Sequence, residues 1–276
     1  MTLAAITSDK NPKIQQVIRL REKSGQRKAE RLFVIEGIRE LTLALKSGYP
    51  VKEIYYCPQF VKPEILSDLK KICGKADWME ISGRAYEKVA LRETTEGVIA
   101  VAEMRELKLG QIKLSENPLL LVVESVEKPG NLGALLRTTD AAALEAVIVC
   151  DPSVDLYNPN VIRSSLGCLF AQQIALCTTE EAIAWLRKKG VKMLAATPEK
   201  AKQYTTADFT QPSAIIVGSE AQGLSSAWMD NCDAKIFIPM QGVVDSLNVS
   251  VSAAVILFEA VRQRQAPHGV PKWKGH

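Results

Sequence analysis

The sequence predicts an α/β protein: a parallel β-sheet domain in the C-terminal half, preceded by a smaller α/β domain. Two observations carry that expectation. Short apolar runs alternate with amphipathic helical stretches along nearly the whole chain, which is the pattern of layered α/β folds. After residue 118 the runs, such as "LLLVVE" and "AVIVC", are continuous rather than alternating. Strands of that kind belong to a sheet covered on both faces. The 276 residues suffice for two domains, and with 47% apolar and 24% charged residues the chain can bury a real core.

Elements follow in order. "NPKIQQVIRLREKSGQRKAE" reads as one basic helix, with Ile14, Val17 and Ile18 at helical spacing. "LFVIEG" is a strand, "IRELTLALKSG" an amphipathic helix stopped by Gly48, "VKEIYYCP" a second strand, "KPEILSDLKKICGKA" a helix and "GVIAVAEM" a strand. These make a first domain of residues 1–105. "RELKLGQIKLSENP" is polar and without period, so residues 106–117 read as a linker. Residues 118–276 form the second domain, with further strands at "VKMLAAT", "AIIVGSE" and "AKIFIP". The closing helix within "SLNVSVSAAVILFEAVRQR" is apolar nearly all round and is expected to be buried, either in the core or against another subunit.

Composition narrows the chemistry. A net charge of +4 permits a nucleic-acid partner without demanding one. The six cysteines form no CxxC pair and no zinc-ligand spacing, so no metal is expected and a reducing, cytosolic setting is. No signal core or membrane-length apolar run is present, so no membrane partner is expected. Both histidines, His268 and His276, fall in the last residues, which argues against histidine-based nucleophilic catalysis.

Three strand ends in the second half carry loops rich in glycine and small polar residues: "ESVEKPGNLGALLRT", "VGSEAQGLS" and "IPMQGVVDSLNVS". Ligands of parallel α/β sheets sit beyond the carboxyl ends of strands. One such corner alone is usually a plain turn, with Asn131 or Ser246 as a helix cap. Three on one sheet indicate a ligand held by several loops together, and neither G-x-G-x-x-G nor a phosphate loop is present.

In order and spacing, "NLGALLRT", "VGSEAQGL" and "IPMQGVVDSLNVSVSAAVILFEAVRQR" resemble the three motifs of the SpoU (TrmH) family, RNA ribose 2′-O-methyltransferases of the SPOUT superfamily. "FVIEGIRELTLAL" after a basic helix resembles that family's ribosomal-protein-like RNA-binding domain. The resemblance implies S-adenosylmethionine as methyl donor, a C-terminal trefoil knot and a homodimer with the donor pocket near the subunit interface. It assigns Arg137, Asn131, Glu220, Ser246 and Asn248 to catalysis, and Gly218, Ile238, Met240 and Leu247 to the donor. Leu144, where the family often has glycine, and Asp245, where small or uncharged residues are commoner, depart from its pattern.

Ribose methylation needs oxygen, methyl carbon and sulfur in line, and help for a weakly nucleophilic hydroxyl. Arginine is a poor base, so Arg137 is expected to grip the neighbouring phosphate and steady the forming alkoxide. Its plain alternative is a surface pair with Asp140. Asn131 would orient Arg137 or the ribose. Lys23, Arg27 and Lys28 on the basic helix, with the tail "RQRQAPHGVPKWKGH", are expected to hold RNA phosphates. Tyr55 or Tyr56 is a weaker candidate for base stacking. Ribosomal RNA ranks ahead of transfer RNA. A catalytically silent RNA-binding protein on the same fold and a nucleotide-binding enzyme of other chemistry are the competing readings.

Overall fold

The structure is a computed structural model that describes residues 5–91 and 96–265. His268, His276 and most of the basic tail lie outside the described residues. The chain divides into two compact units. The first comprises residues 1–106 and 155–171, the second 107–154 and 172–276.

In the first unit, helix α1 (Pro12–Glu22) starts at Asn11, whose side chain accepts from the Lys13 N–H at 2.9 Å. Its buried face is Ile14, Val17 and Leu20. The expected single basic helix is broken at Lys23, which is extended (φ −112°, ψ 110°), and resumes as α2 (Ser24–Glu30). Strand β1 (Leu32–Glu36) follows, then α3 (Ile38–Lys46), β2 (Val51–Tyr56), α4 (Pro63–Ile72), β3 (Asp77–Glu80), α5 (Gly83–Val89) and β4 (Val98–Glu103). The four strands lie in the order β1-β4-β2-β3. β4 is antiparallel to both neighbours, and β3 is parallel to β2. β3 went unread in the sequence because "DWME" offers a single buried residue, Met79.

The second unit opens with β5 (Leu119–Glu124), α6 (Pro129–Ala141) and β6 (Ala146–Cys150). The chain then returns to the first unit for residues 155–171, which carry α7 (Pro159–Ser164). Sequence pattern alone did not separate this stretch from the second domain. Its aromatics explain where it goes. Tyr157 stacks on Phe33 with centroids 4.4 Å apart, and Phe170 meets Tyr49 edge-on at 4.9 Å. The Arg105 guanidinium sits 3.9 Å over the Tyr49 ring.

Back in the second unit come β7 (Gln173–Cys177), α8 (Thr179–Lys188), β8 (Lys192–Ala196), the two-residue β9 (Lys202–Gln203), β10 (Ser213–Val217), α9 (Ser226–Asn231), β11 (Ala234–Phe237) and α10 (Val249–Gln265). They form a seven-stranded sheet in the order β7-β6-β5-β10-β8-β11-β9. Every pairing in it is parallel. β5, β6 and β10 are buried at every position, as continuous apolar runs require.

The stretch read as a linker is held on this unit. Ile112 is buried in its core, the Leu107 carbonyl accepts from the Leu176 N–H at 2.8 Å, and the Lys113 N–H donates to Gln173 Oε1 at 2.9 Å. It thereby covers the outer edge of β7, which would otherwise present unpaired backbone groups.

Within this chain helix α10 is buried along one face only. It packs on α6 and β10 through Ala253, Ile256, Leu257 and Ala260. Val251 and Phe258 stay exposed, at 47% and 49%.

Candidate active site

Three strands of the second unit end in the loops singled out above, and their residues can be followed one at a time. After β10, Gly218 leaves no room for a side chain: a Cβ there would stand 2.1 Å from the Gly223 carbonyl oxygen. The loop doubles back so closely because Ser219 and Gly223 exchange backbone hydrogen bonds of 3.1 and 3.0 Å. The Gln222 N–H also donates to Ser219 Oγ at 3.0 Å, and Gly223 takes φ +69°, which glycine adopts at little cost. Gly218 is thus fixed by the loop's own packing. Glu220 is left exposed at the tip.

Asn131 lies in the first turn of α6, three residues past the cap position at Lys128, so it is no helix cap. Its Nδ2 donates to Glu220 Oε1, and its Oδ1 accepts from Asn248 Nδ2 at 3.2 Å. Asn248 was expected inside an apolar helix. It stands just before α10 instead, exposed, and its Oδ1 accepts from the Ser250 N–H at 3.0 Å and Ser250 Oγ at 2.6 Å. One amide therefore caps the last helix and links it to α6. Through Glu220, Asn131 and Asn248 all three loops are tied together.

Arg137 is on the same helix as Asn131, about 9 Å further along the axis at ~1.5 Å per residue. It is exposed and holds no ion pair or hydrogen bond with the described residues, so the alternative pairing with Asp140 does not occur. Its guanidinium is free for a ligand.

Beside the linked loops is a cleft of about 140 Å³. Ala196, Thr197 and Pro198 wall it after β8, Ile238 and Met240 after β11, Ser246 and Leu247 from the third loop, and Ile256 from α10. Ile238, Met240 and Leu247 thus share one cavity, while Gly218 does not line it. Ser246, grouped with catalysis on sequence, belongs to this cavity. Asp245 lines it too and is the only acid among the described residues that do. Cleft and amide chain are joined covalently, since Leu247 lines the first and Asn248 is in the second.

The expected RNA-binding set divides. Lys23 and Lys28 are exposed. Arg27 is not available to phosphate: its side chain is 2% exposed and its Nε pairs with Asp155 Oδ2 at 2.6 Å. Its Nη1 donates to the carbonyls of Leu20 at 2.8 Å and Arg21 at 3.1 Å. The sequence counts Arg27 among the basic residues of that stretch; its partners enclose it within the first unit instead. Tyr55 is buried with its hydroxyl donating to Glu53 Oε2 at 2.6 Å, so it cannot stack on a base.

Residues 118–258 match the model of the SpoU rRNA methylase family, and residues 11–100 match that of the MRM3-like substrate binding domain. The chain belongs to the SpoU family. Among its relatives is the 23S rRNA (uridine(2479)-2′-O)-methyltransferase of Streptomyces viridochromogenes, 31% identical over 94% of this chain and 92% of the relative. The 23S rRNA (guanosine(2553)-2′-O)-methyltransferase RlmP of Bacillus subtilis is 33% identical over 92% of this chain and 97% of its own. The crystal structure of the SpoU methyltransferase AviRb from S. viridochromogenes in complex with AdoMet superposes with a TM-score of 0.85, at 29% identity, over 92% of this chain and 98% of that one.

As a SpoU enzyme the protein is an RNA 2′-O-methyltransferase, and S-adenosylmethionine is its methyl donor. The cleft suits that group. Ile238, Leu247 and Ile256 give a purine an apolar wall, and Asp245 has the charge that favours a sulfonium. Among the described residues there is no cluster of His, Cys, Asp and Glu able to hold a metal, and no helix long and apolar enough to cross a membrane.

Two residues that complete the surroundings escaped the sequence reading. Thr197 is a polar position in the cleft wall. Glu124, the last residue of β5, is not singled out by the sequence pattern and is enclosed.

Proposed function

We propose that the protein methylates the 2′-hydroxyl of one ribose in ribosomal RNA, with Arg137 assisting the hydroxyl. The observation that carries this reading is the Glu220–Asn131–Asn248 chain, which gathers three loops beside a cleft of suitable character. Both curated relatives named above act on 23S rRNA, one at a uridine and one at a guanosine. They favour ribosomal over transfer RNA and leave the base open.

Bound S-adenosylmethionine supplies a methyl group already activated on sulfur, so the protein's task falls on the acceptor. Asn131 is held at both ends of its amide, by Glu220 and by Asn248, and so has a fixed orientation toward an incoming ribose. Glu220 retains a second carboxylate oxygen that can accept from a sugar hydroxyl. Arg137 offers five N–H donors to the phosphate next to the target and to the oxygen as charge grows on it. Arginine keeps its proton at neutral pH, so the hydroxyl proton passes to an acceptor oxygen, either Glu220 or the RNA phosphate. Lys23 and Lys28 contribute phosphate contacts from the first unit.

The same reading carries a homodimer. Val251 and Phe258 on α10, with Leu247 and Val244 ahead of it, form an exposed apolar set on the helix the family buries between subunits. It also carries the trefoil knot and a place in the cytosol with the ribosomal RNA. The decisive test is transfer of labelled methyl from S-adenosylmethionine to unmodified 23S rRNA. Arg137→Ala should lower the rate about 10²–10³-fold, as removal of a charge-stabilising donor does, with calorimetric donor binding retained. Wild-type transfer by that variant would remove Arg137 from the mechanism.

A further inference from the structure

No step above uses the carboxylate at the end of β5. Glu124 is 5% exposed. Its Oε1 accepts from Ser225 Oγ at 2.7 Å and from Thr179 Oγ1 at 2.9 Å, and its Oε2 accepts from the Ser225 N–H at 2.8 Å. A buried carboxylate is costly unless its oxygens are satisfied, and here two of the three donors come from one residue. Ser225 is where the loop carrying Glu220 ends, one residue before α9.

That loop has little freedom of its own. It leaves β10 at Gly218, where its own backbone closes over the Cα, and it is crossed by the Ser219–Gly223 hydrogen bonds. A short, internally closed loop moves as a body. Its entry is fixed by β10 and its exit by Glu124, so the anchor at Ser225 sets where Glu220 stands relative to Asn131. β5 and β10 are neighbours in the sheet, so the anchor spans a single strand gap.

We propose that Glu124 is a positioning residue for methyl transfer, acting through Ser225 to hold the 218–225 loop where Glu220 meets Asn131. This rests on the reading that the Glu220–Asn131–Asn248 chain forms the acceptor side of the site. Thr179, at the start of α8, gives Glu124 a purely structural duty as well, and the experiment separates the two.

Single-turnover methylation of a 23S rRNA transcript, calorimetric affinity for S-adenosylmethionine and melting temperature are measured for Glu124→Gln, Ser225→Ala, Glu220→Gln and the two double variants containing Glu220→Gln. Glu124→Gln keeps the volume and replaces one acceptor oxygen with a donor. It should slow transfer about 10- to 100-fold, the range a misplacement of about 1 Å produces. Ser225→Ala, which keeps the backbone N–H, should slow it about 3- to 10-fold by losing one of the two bonds. Donor affinity should stay within about twofold, because the cleft is walled by other loops. In the Glu220→Gln background neither change should add more than about twofold, since coupled residues are non-additive.

Wild-type rates in Ser225→Ala and in folded Glu124→Gln overturn the proposal. So does an undiminished effect in the Glu220→Gln background, or a rate that falls only in step with melting temperature and donor affinity. If Glu124→Gln does not fold, the exposed Ser225 decides the matter alone. A wild-type rate in Glu220→Gln itself would bring down the acceptor-site reading, an outcome distinct from a slow Glu220→Gln beside fast anchor variants.

Discussion

Removing Arg27 should cost the first unit its stability and leave its RNA affinity nearly untouched. Its guanidinium sits 2.6 Å from an Asp155 carboxylate oxygen, with side chains 2% and 11% exposed. At an effective dielectric near 20, unit charges ~4 Å apart attract by about 4 kcal/mol. Arg27→Ala discards that attraction, strands Asp155, whose side chain keeps among the described residues only the Tyr157 N–H at 3.0 Å, and removes donors from the carbonyls of Leu20 and Arg21. Breaking a buried pair on one side costs about 3–5 kcal/mol. Replacing both partners, as Arg27→Met with Asp155→Leu, should recover most of that loss, since an apolar pair of similar volume needs no desolvation of charge. The assay is urea unfolding followed by the fluorescence of Trp78, the only tryptophan of the first unit. With a slope of about 2 kcal/mol per molar urea, the single variant's midpoint should drop by roughly 2 M. The argument fails if Arg27→Ala unfolds within about 0.5 M of wild type, a shift of roughly 1 kcal/mol on that slope, or if it flattens the salt dependence of RNA binding as a lost phosphate contact would.

Charge reversal of Lys23 and Lys28, which are exposed, should do the opposite: unchanged unfolding, and a shallower salt dependence of RNA binding by about two phosphate contacts. Gly218→Ala should abolish methyl transfer while leaving the first unit's unfolding unchanged, because its Cβ would overlap the Gly223 carbonyl and force the loop open; normal turnover would show that the loop yields. Arg264→Met should cost about 3 kcal/mol in unfolding of the second unit, since one guanidinium donates to the carbonyls of Phe209, Asn117, Pro118 and Gln211 between 2.7 and 3.0 Å. Burial raises the phenols of Tyr55, Tyr86 and Tyr157 above their ordinary range. Below pH ~10 both states keep these protons. Above it the unfolded chain loses them first, so first-unit stability should fall as pH rises from about 10, which unfolding curves at successive alkaline pH values would register.

Much of the fold is legible in the sequence for a physical reason. β5, β6 and β10 are near-continuous apolar runs buried at every position, as strands covered on both faces are. Of the three loops, the one after β10 has a clear physical reason to stand out: its backbone doubles back within van der Waals contact at Gly218, which leaves glycine little competition. What stayed hidden depends on contacts remote in sequence. Arg27 lies on a basic stretch, and nothing local reveals that Asp155, far along the chain, turns it into a core residue. The segment 155–171 joins the first unit through Tyr157 and Phe170, aromatics that would suit either core. Glu124 closes an apolar run where an acid ordinarily meets water, and its donors at Thr179 and Ser225 come from two other corners of the sheet.

The site's exposure has a mechanistic meaning. Glu220, Asn131 and Asn248 are tied to one another, yet Glu220 and Asn248 face solvent and Arg137 has no described partner. In water a guanidinium's pull on a forming alkoxide is weak, because bulk solvent screens it. The cleft proposed for the donor, by contrast, is walled by Ile238, Met240, Leu247 and Ile256. If the proposed roles hold, the two substrates meet different problems: the donor meets walls set by loops of one unit, whereas the acceptor must itself exclude the water that would otherwise blunt Arg137. On the proposed reading RNA is both substrate and a wall of the site. A short ribose-containing oligonucleotide that reaches Asn131 but leaves Arg137 wet should bind and scarcely react, since remote contacts of the full RNA are what dry the reacting centre.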